Sequence, residues 1–237
     1  MSLRKGAETI VNQCMNISEE EEVLVLNDGN DQDLIDALIE VIEDSGIEHQ
    51  LLEYKEPENH GEDPPHKIVE RMKQVDAVIA PTNKSISHTE ARRMANEHGT
   101  RVATLPTINK EVWNQSLQAD YEEVRQLSRK FYDLLEGVSE VRIETPSGTD
   151  LKLEVDREFF EKDTGFIREE GSFGNLPAGE TDGGVIDAEG SLVVDHFPFA
   201  PSGTRIEIKQ GEAVAVEHPG KEESRLDKAF KDKKCAR

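Results

Sequence analysis

The chain has 237 residues, with 50 Asp and Glu against 28 Lys and Arg, a formal net charge of −22 and a mean hydropathy of −0.65. It carries no basic stripe that could displace phosphate counterions and no apolar run approaching ~18 residues, which argues against nucleic-acid and membrane partners. Cys14 and Cys235 lie near opposite ends without ligand spacing, and the first twenty residues lack an apolar signal core, so the expected setting is a reducing cytoplasm.

Leu3, Ala7, Ile10, Val11 and Cys14 recur with a helical period and predict an opening helix. Val23–Leu26 is a short apolar run rich in branched side chains, as in a strand buried on both faces. Leu34, Ile35, Leu38, Ile39 and Ile42 mark one face of a helix that Gly46 stops, and Ile47–Tyr54 predicts the next strand. The alternation continues with a helix from Pro64–Pro65 to about Gln74 and a strand at Asp76–Pro81. A helix capped by Ser87 and closed by Gly99 comes next, then a strand at Arg101–Pro106. Strands alternating with helices across short turns predict a parallel sheet covered on both faces. Ligands of such sheets bind beyond the carboxyl ends of the strands, here the loops Asn27–Asp31, Pro81–Ser87 and Pro106–Asn109.

Ala119–Glu136 predicts a longer amphipathic helix with Tyr121, Val124, Leu127, Phe131 and Leu134 on one side. Beyond Gly137 the period changes to two. Val141–Glu144 and Leu151–Val155 predict a hairpin, with further strands at Gly184–Asp187, Ser191–Asp195, Arg205–Lys209 and Ala213–His218, and a helix at Lys221–Lys234. The fold class expected is α/β: a doubly wound parallel domain over residues 1–136, then a β-rich α+β domain over 137–237.

Motif by motif, the chemistry is sparse. Asp28, Asp31 and Asp33 follow the first strand, but the sixth-position glycine and closing glutamate of a calcium loop are absent, so helix capping explains them. There is neither a GxGxxG nor a P-loop. Ser87 with Glu90 forms a capping-box pattern, and His88 between them lies at the rim where a ligand would bind. His196 follows Asp195 at a strand end without a partner at metal-ligand spacing. The stretch Gly171–Glu180, GSFGNLPAGE, packs three glycines and a proline into ten residues. It excludes a helix, disfavours an interior strand, and holds Glu180 at the end of a shaped loop.

Asn175-Leu176-Pro177-Ala178-Gly179-Glu180 resembles the Asn-[Ile/Leu/Met]-Pro-x-x-Glu motif of the thermophilic-type metallo-aminopeptidases, the aminopeptidase T and aminopeptidase S family. Ser87–Arg92 and Glu189–Asp195 also resemble archaeal-type members, in the right order. The resemblance implies a two-metal aminopeptidase of leucyl type with a peptide substrate and a homodimeric state. Glu180 would be a metal ligand, and the metals divalent ions such as zinc, cobalt or magnesium. It leaves His88 and Asn175 as candidate substrate-binding positions and His196 as a further candidate. It also implies that a second glutamate, two histidines and an aspartate follow after Arg237, and Thr181–Gly184 departs from the apolar, proline-bearing segment of the family. Ring-cleaving iron dioxygenases of dihydroxypyridines resemble the same scaffold and give one alternative. A non-catalytic binding protein gives the other.

Overall fold

The computed structural model describes residues 3–197 and 200–220, with Arg157 described by its backbone alone. The chain divides into two compact units, Met1–Lys130 with Lys162–Glu180, and Phe131–Glu161 with Thr181–Arg237.

In the first unit the opening helix is α1 (Leu3–Glu8), continued by a π-helical turn at Thr9–Cys14. The alternating pattern then gives β1 (Glu22–Asn27), α2 (Gln32–Asp44), β2 (Glu48–Glu53) and α3 (His66–Met72). β3 (Ala77–Ala80), α4 (Glu90–Glu97) and β4 (Arg101–Thr104) follow. α5 (Lys110–Ser116), short and unannounced by any apolar period, precedes α6 (Tyr121–Leu134). The sheet runs β2-β1-β3-β4-β7, where β7 is Phe173–Asn175, and every pairing is parallel.

The two faces of this sheet can be read directly from β1. Val23 and Val25 join a core with Leu34, Leu38 and Ile42 of α2, Ile10 and Trp113. Leu24 and Leu26 point the other way, into a core with Ile68 and Met72 of α3 and Ala91 and Ala95 of α4. A strand alternates its side chains across the sheet, so a continuous apolar run is needed where both faces are covered. This confirms the doubly wound expectation. At the opposite end of β4, buried Arg101 donates to Met15 O and pairs with Glu21, which compensates the cation it carries out of water.

The stretch expected to be only a loop contains β7, which adds to the edge of the first sheet beside β4. This corrects the assignment of residues 171–180 to the second domain. Gly174 permits it, because a Cβ there would lie 2.9 Å from Ile167 Cδ1. An edge strand tolerates the neighbouring glycine and proline that an interior strand would not.

The second unit's sheet runs β10-β9-β8-β6-β5. Its strands are β5 (Glu140–Glu144), β6 (Asp150–Asp163), β8 (Glu180–Val194), β9 (Thr204–Lys209) and β10 (Glu212–Glu217). The pairs β5–β6, β8–β9 and β9–β10 are antiparallel. The hairpin expectation holds. The two strands expected at 184–187 and 191–195 are one, β8. Gly190 is a close-approach position within it: φ is +123° and a Cβ would lie 2.2 Å from Asp150 O.

α6 departs from its expected amphipathic burial. Tyr121 is 1% exposed, but Leu127, Phe131 and Leu134 are 60%, 58% and 64% exposed. The helix expected at Lys221–Lys234 lies outside the described residues.

Candidate functional site

The carboxyl ends of the first sheet gather polar side chains at the termini of otherwise apolar strands. Asn27 ends β1, Thr104 ends β4 and Asn175 ends β7. The direction of strand succession reverses between β1 and β3, which is where such sheets open a crevice.

Here the crevice is braced by the protein's own hydrogen bonds. Asp28, 2% exposed, accepts from Asn83 N at 2.7 Å and Lys84 N at 2.9 Å. Asn30 Nδ2 donates to Pro81 O and Ile108 O, both at 3.2 Å. The three loops expected to carry ligand contacts are therefore joined to one another. Of the acidic cluster only Asp31 caps α2, accepting from Asp33 N at 3.0 Å, while Asp33 pairs with Lys110. The capping explanation is right for Asp31 and wrong for Asp28, whose carboxylate joins loops.

Beside this brace lies a hydroxyl cluster. Ser87 Oγ donates to Asn175 Oδ1 at 2.7 Å and Thr104 Oγ1 donates to the same oxygen at 2.5 Å. Ser85 Oγ donates to Ser87 Oγ at 3.0 Å, and Arg92 Nε donates to Ser87 O at 2.8 Å. The Arg92 guanidinium stacks 4.3 Å from the Phe173 ring centroid, and burial pulls its pKa below the usual arginine value. Ser87 does not cap α4. Thr89 does, its Oγ1 accepting from Arg92 N at 3.2 Å. Ser87 lies two residues before the Thr89 cap, where its hydroxyl is 2% exposed and donates to Asn175.

The loop after Asn175 is held tightly. Leu176 is 2% exposed in the core, and Ala178 N donates to Tyr121 Oη at 3.1 Å. The Leu176–Pro177 bond is cis. Gly179 has φ +127°, and a Cβ there would lie 2.7 Å from Val124 Cγ1. The loop delivers Glu180, exposed, to the first position of β8.

The sequence candidates separate as follows. Asn175 belongs to the hydroxyl cluster. His88 is exposed beside Ser87, its carbonyl accepting from Arg93 Nη1 at 3.0 Å. His196, in the second unit, is exposed and lines an open groove of about 580 Å³ with Leu192, Val194, Phe197 and Ile206. Among the described residues no group of three or more His, Cys, Asp or Glu side chains could hold a metal. Ser85, Thr104, Arg92 and the brace formed by Asp28 were missed as site residues. For Asp28 and Thr104 the available signal was a polar residue at or just after the last position of an apolar parallel strand.

A doubly wound parallel sheet with a polar carboxyl edge, joined to a unit built on an antiparallel sheet, defines the class of protein. The same architecture occurs in 2,5-dihydroxypyridine dioxygenase from Pseudomonas putida KT2440, at a TM-score of 0.73 and 17% identity, covering 98% of this chain and 70% of that one. It occurs also in wild-type AmpT from Thermus thermophilus, at a TM-score of 0.61 and 17% identity, covering 92% of this chain and 71% of that one. No curated protein matches the sequence. The chain belongs to the family described as NicX, 2,5-dihydroxypyridine 5,6-dioxygenase, which matches residues 6–199. The aminopeptidase T resemblance thus holds for the fold, while the family is that of the dioxygenase. No helix among the described residues is long and apolar enough to cross a membrane.

Proposed function

We propose that the protein is an enzyme of the ring-cleaving dioxygenase type that acts on a hydroxylated pyridine or a close heteroaromatic analogue. The observation that carries this is the family match over residues 6–199, which includes the braced loops, the hydroxyl cluster and Glu180. The edge itself supports a planar, polar ligand. It offers the exposed carboxamide of Asn175, held by the buried Ser87 and Thr104 hydroxyls, with the Arg92 cation beside Ser87.

Both dihydroxypyridine dioxygenases and the aminopeptidases of the resemblance are expected to need a divalent metal. The described residues do not fit such a centre by themselves: Glu180 offers one exposed carboxylate, and no cluster of three candidate ligands surrounds it. Asn175 and Arg92 serve to bind the ligand, and Ser87 and Thr104 to orient Asn175.

The Asn175–Glu180 motif and the likeness to AmpT favour a second reading, a metallo-aminopeptidase releasing N-terminal residues from peptides. The two are separated by assaying the full chain with ferrous iron, zinc, cobalt or magnesium added in turn, against 2,5-dihydroxypyridine and leucine anilides. The proposal expects loss of the pyridine ring's absorbance and intact anilides. Anilide hydrolysis without ring loss would select the aminopeptidase. Inertness towards both would leave a binding protein on this scaffold.

A further inference from the structure

Asn175 is exposed, yet its carboxamide is not free to turn. Its Oδ1 takes the protons of two buried hydroxyls, Ser87 Oγ at 2.7 Å and Thr104 Oγ1 at 2.5 Å, on residues that are 2% and 1% exposed. Both lengths suit an O–H···O bond, and an amide N–H···O bond is ordinarily longer. The oxygen therefore faces inward. The two hydroxyls lie 3.0 Å apart, Ser87 Oγ accepts from Ser85 Oγ at 3.0 Å, and the backbone carbonyls of Ser87 and Thr104 accept from Arg92 Nε and Leu176 N at 2.8 and 2.9 Å, which hold the residues that carry them. With both lone pairs of Oδ1 engaged, Nδ2 presents two N–H donors and makes no hydrogen bond among the described residues.

We propose that Asn175 is a ligand-contacting donor whose Nδ2 binds an acceptor oxygen, a ring carbonyl or ionised hydroxyl, and that Ser87 and Thr104 are positioning residues that set the amide's orientation. This deepens the dioxygenase-type reading and rests on it for the ligand class. The pair also discriminates. A primary ammonium has donors and no acceptor, so it finds nothing to bind at Nδ2, and the Arg92 cation on the same edge opposes it further. A hydroxylated pyridine supplies the matching oxygen.

The substitution Asn175→Asp keeps oxygen acceptors for the two hydroxyls and removes both N–H donors. Titrating 2,5-dihydroxypyridine without oxygen into the folded full chain should show about tenfold weaker binding, or worse, than the wild type. Thr104→Val, which keeps the shape and loses the hydroxyl, should weaken binding several-fold, and Thr104→Ser, which restores it, should return binding to the wild-type level. Equal affinity of the wild type and Asn175→Asp would overturn the donor role. A second readout needs no ligand: the Asn175 side-chain amide resonances, assigned by their loss in Asn175→Asp, should be unchanged in Thr104→Ser and broadened or shifted in Thr104→Val. If Thr104→Val leaves them as in the wild type, the positioning role fails whatever the protein binds. A wild-type chain that binds no dihydroxypyridine while its amide behaves as expected would sink the ring-substrate reading and leave the positioning intact.

Discussion

Tyr121 Oη accepts a hydrogen bond from Ala178 N at 3.1 Å, and this contact ties the start of α6 to the loop that ends at Glu180. The phenol is buried, so its removal leaves a backbone N–H without a partner. Tyr121→Phe is expected to cost about 1–3 kcal/mol by urea denaturation. A stability within experimental error of the wild type would show that the loop does not depend on this bond.

Gly179 is where the same loop has no room. With φ at +127° and a Cβ placed 2.7 Å from Val124 Cγ1, Gly179→Ala meets both an unfavourable backbone region and a clash. The expected loss is about 1–3 kcal/mol. Adding Val124→Ala should recover only the steric part. Full recovery in the double variant would mean that the backbone conformation costs nothing there.

Asp28 joins the loops Asn27–Asp31 and Pro81–Ser87 through two backbone N–H groups. Asp28→Asn retains one acceptor oxygen and turns an NH₂ against the other donor. It should cost about 2 kcal/mol, since a charge-assisted bond is lost and a buried donor is left unpaired. Hydrogen exchange at Asn83 and Lys84 should quicken in that variant. Unchanged exchange would place the bracing elsewhere, for example on Asn30.

Burial, the largest cause in each case, raises the pKa of Cys14, Tyr54 and Tyr121 in the folded state. A raised folded pKa means that the folded chain holds its proton after the unfolded chain has released it. Stability is therefore fully present below the unfolded values, roughly 8.5 for Cys and about 10 for Tyr, and falls as pH rises above them. The urea midpoint should be flat around neutrality and drop above about pH 9. In Cys14→Ala the drop should begin about one pH unit higher, with the tyrosines. A midpoint that rises into alkali would contradict this.

Periodicity made the first sheet legible because its strands are short, apolar and punctuated. Gly46 and Gly99 take positive φ where the sequence required helix stops. α5 was not legible: its single buried apolar residue, Trp113, offers no period. β7 was hidden because three residues beside glycine and proline carry no strand signal of their own. Pairing with β4 makes them a strand. The hydroxyl cluster joins residues 71 and 88 positions apart, a proximity that only the closed sheet creates. Ser87 shows the limit of local patterns: its capping box is complete in sequence, yet α4 begins at Glu90, Thr89 takes the cap, and the Ser87 hydroxyl donates to Asn175 instead.

The central claim is ring cleavage, and oxygen uptake tests it most directly. The full chain supplied with ferrous iron and 2,5-dihydroxypyridine should consume oxygen in a one-to-one ratio with the ring lost. Asn175→Asp, which removes the proposed ligand donor, should consume oxygen more slowly at subsaturating dihydroxypyridine. Ring loss without oxygen uptake, or no ring loss with any divalent metal while leucine anilides are hydrolysed, would contradict it.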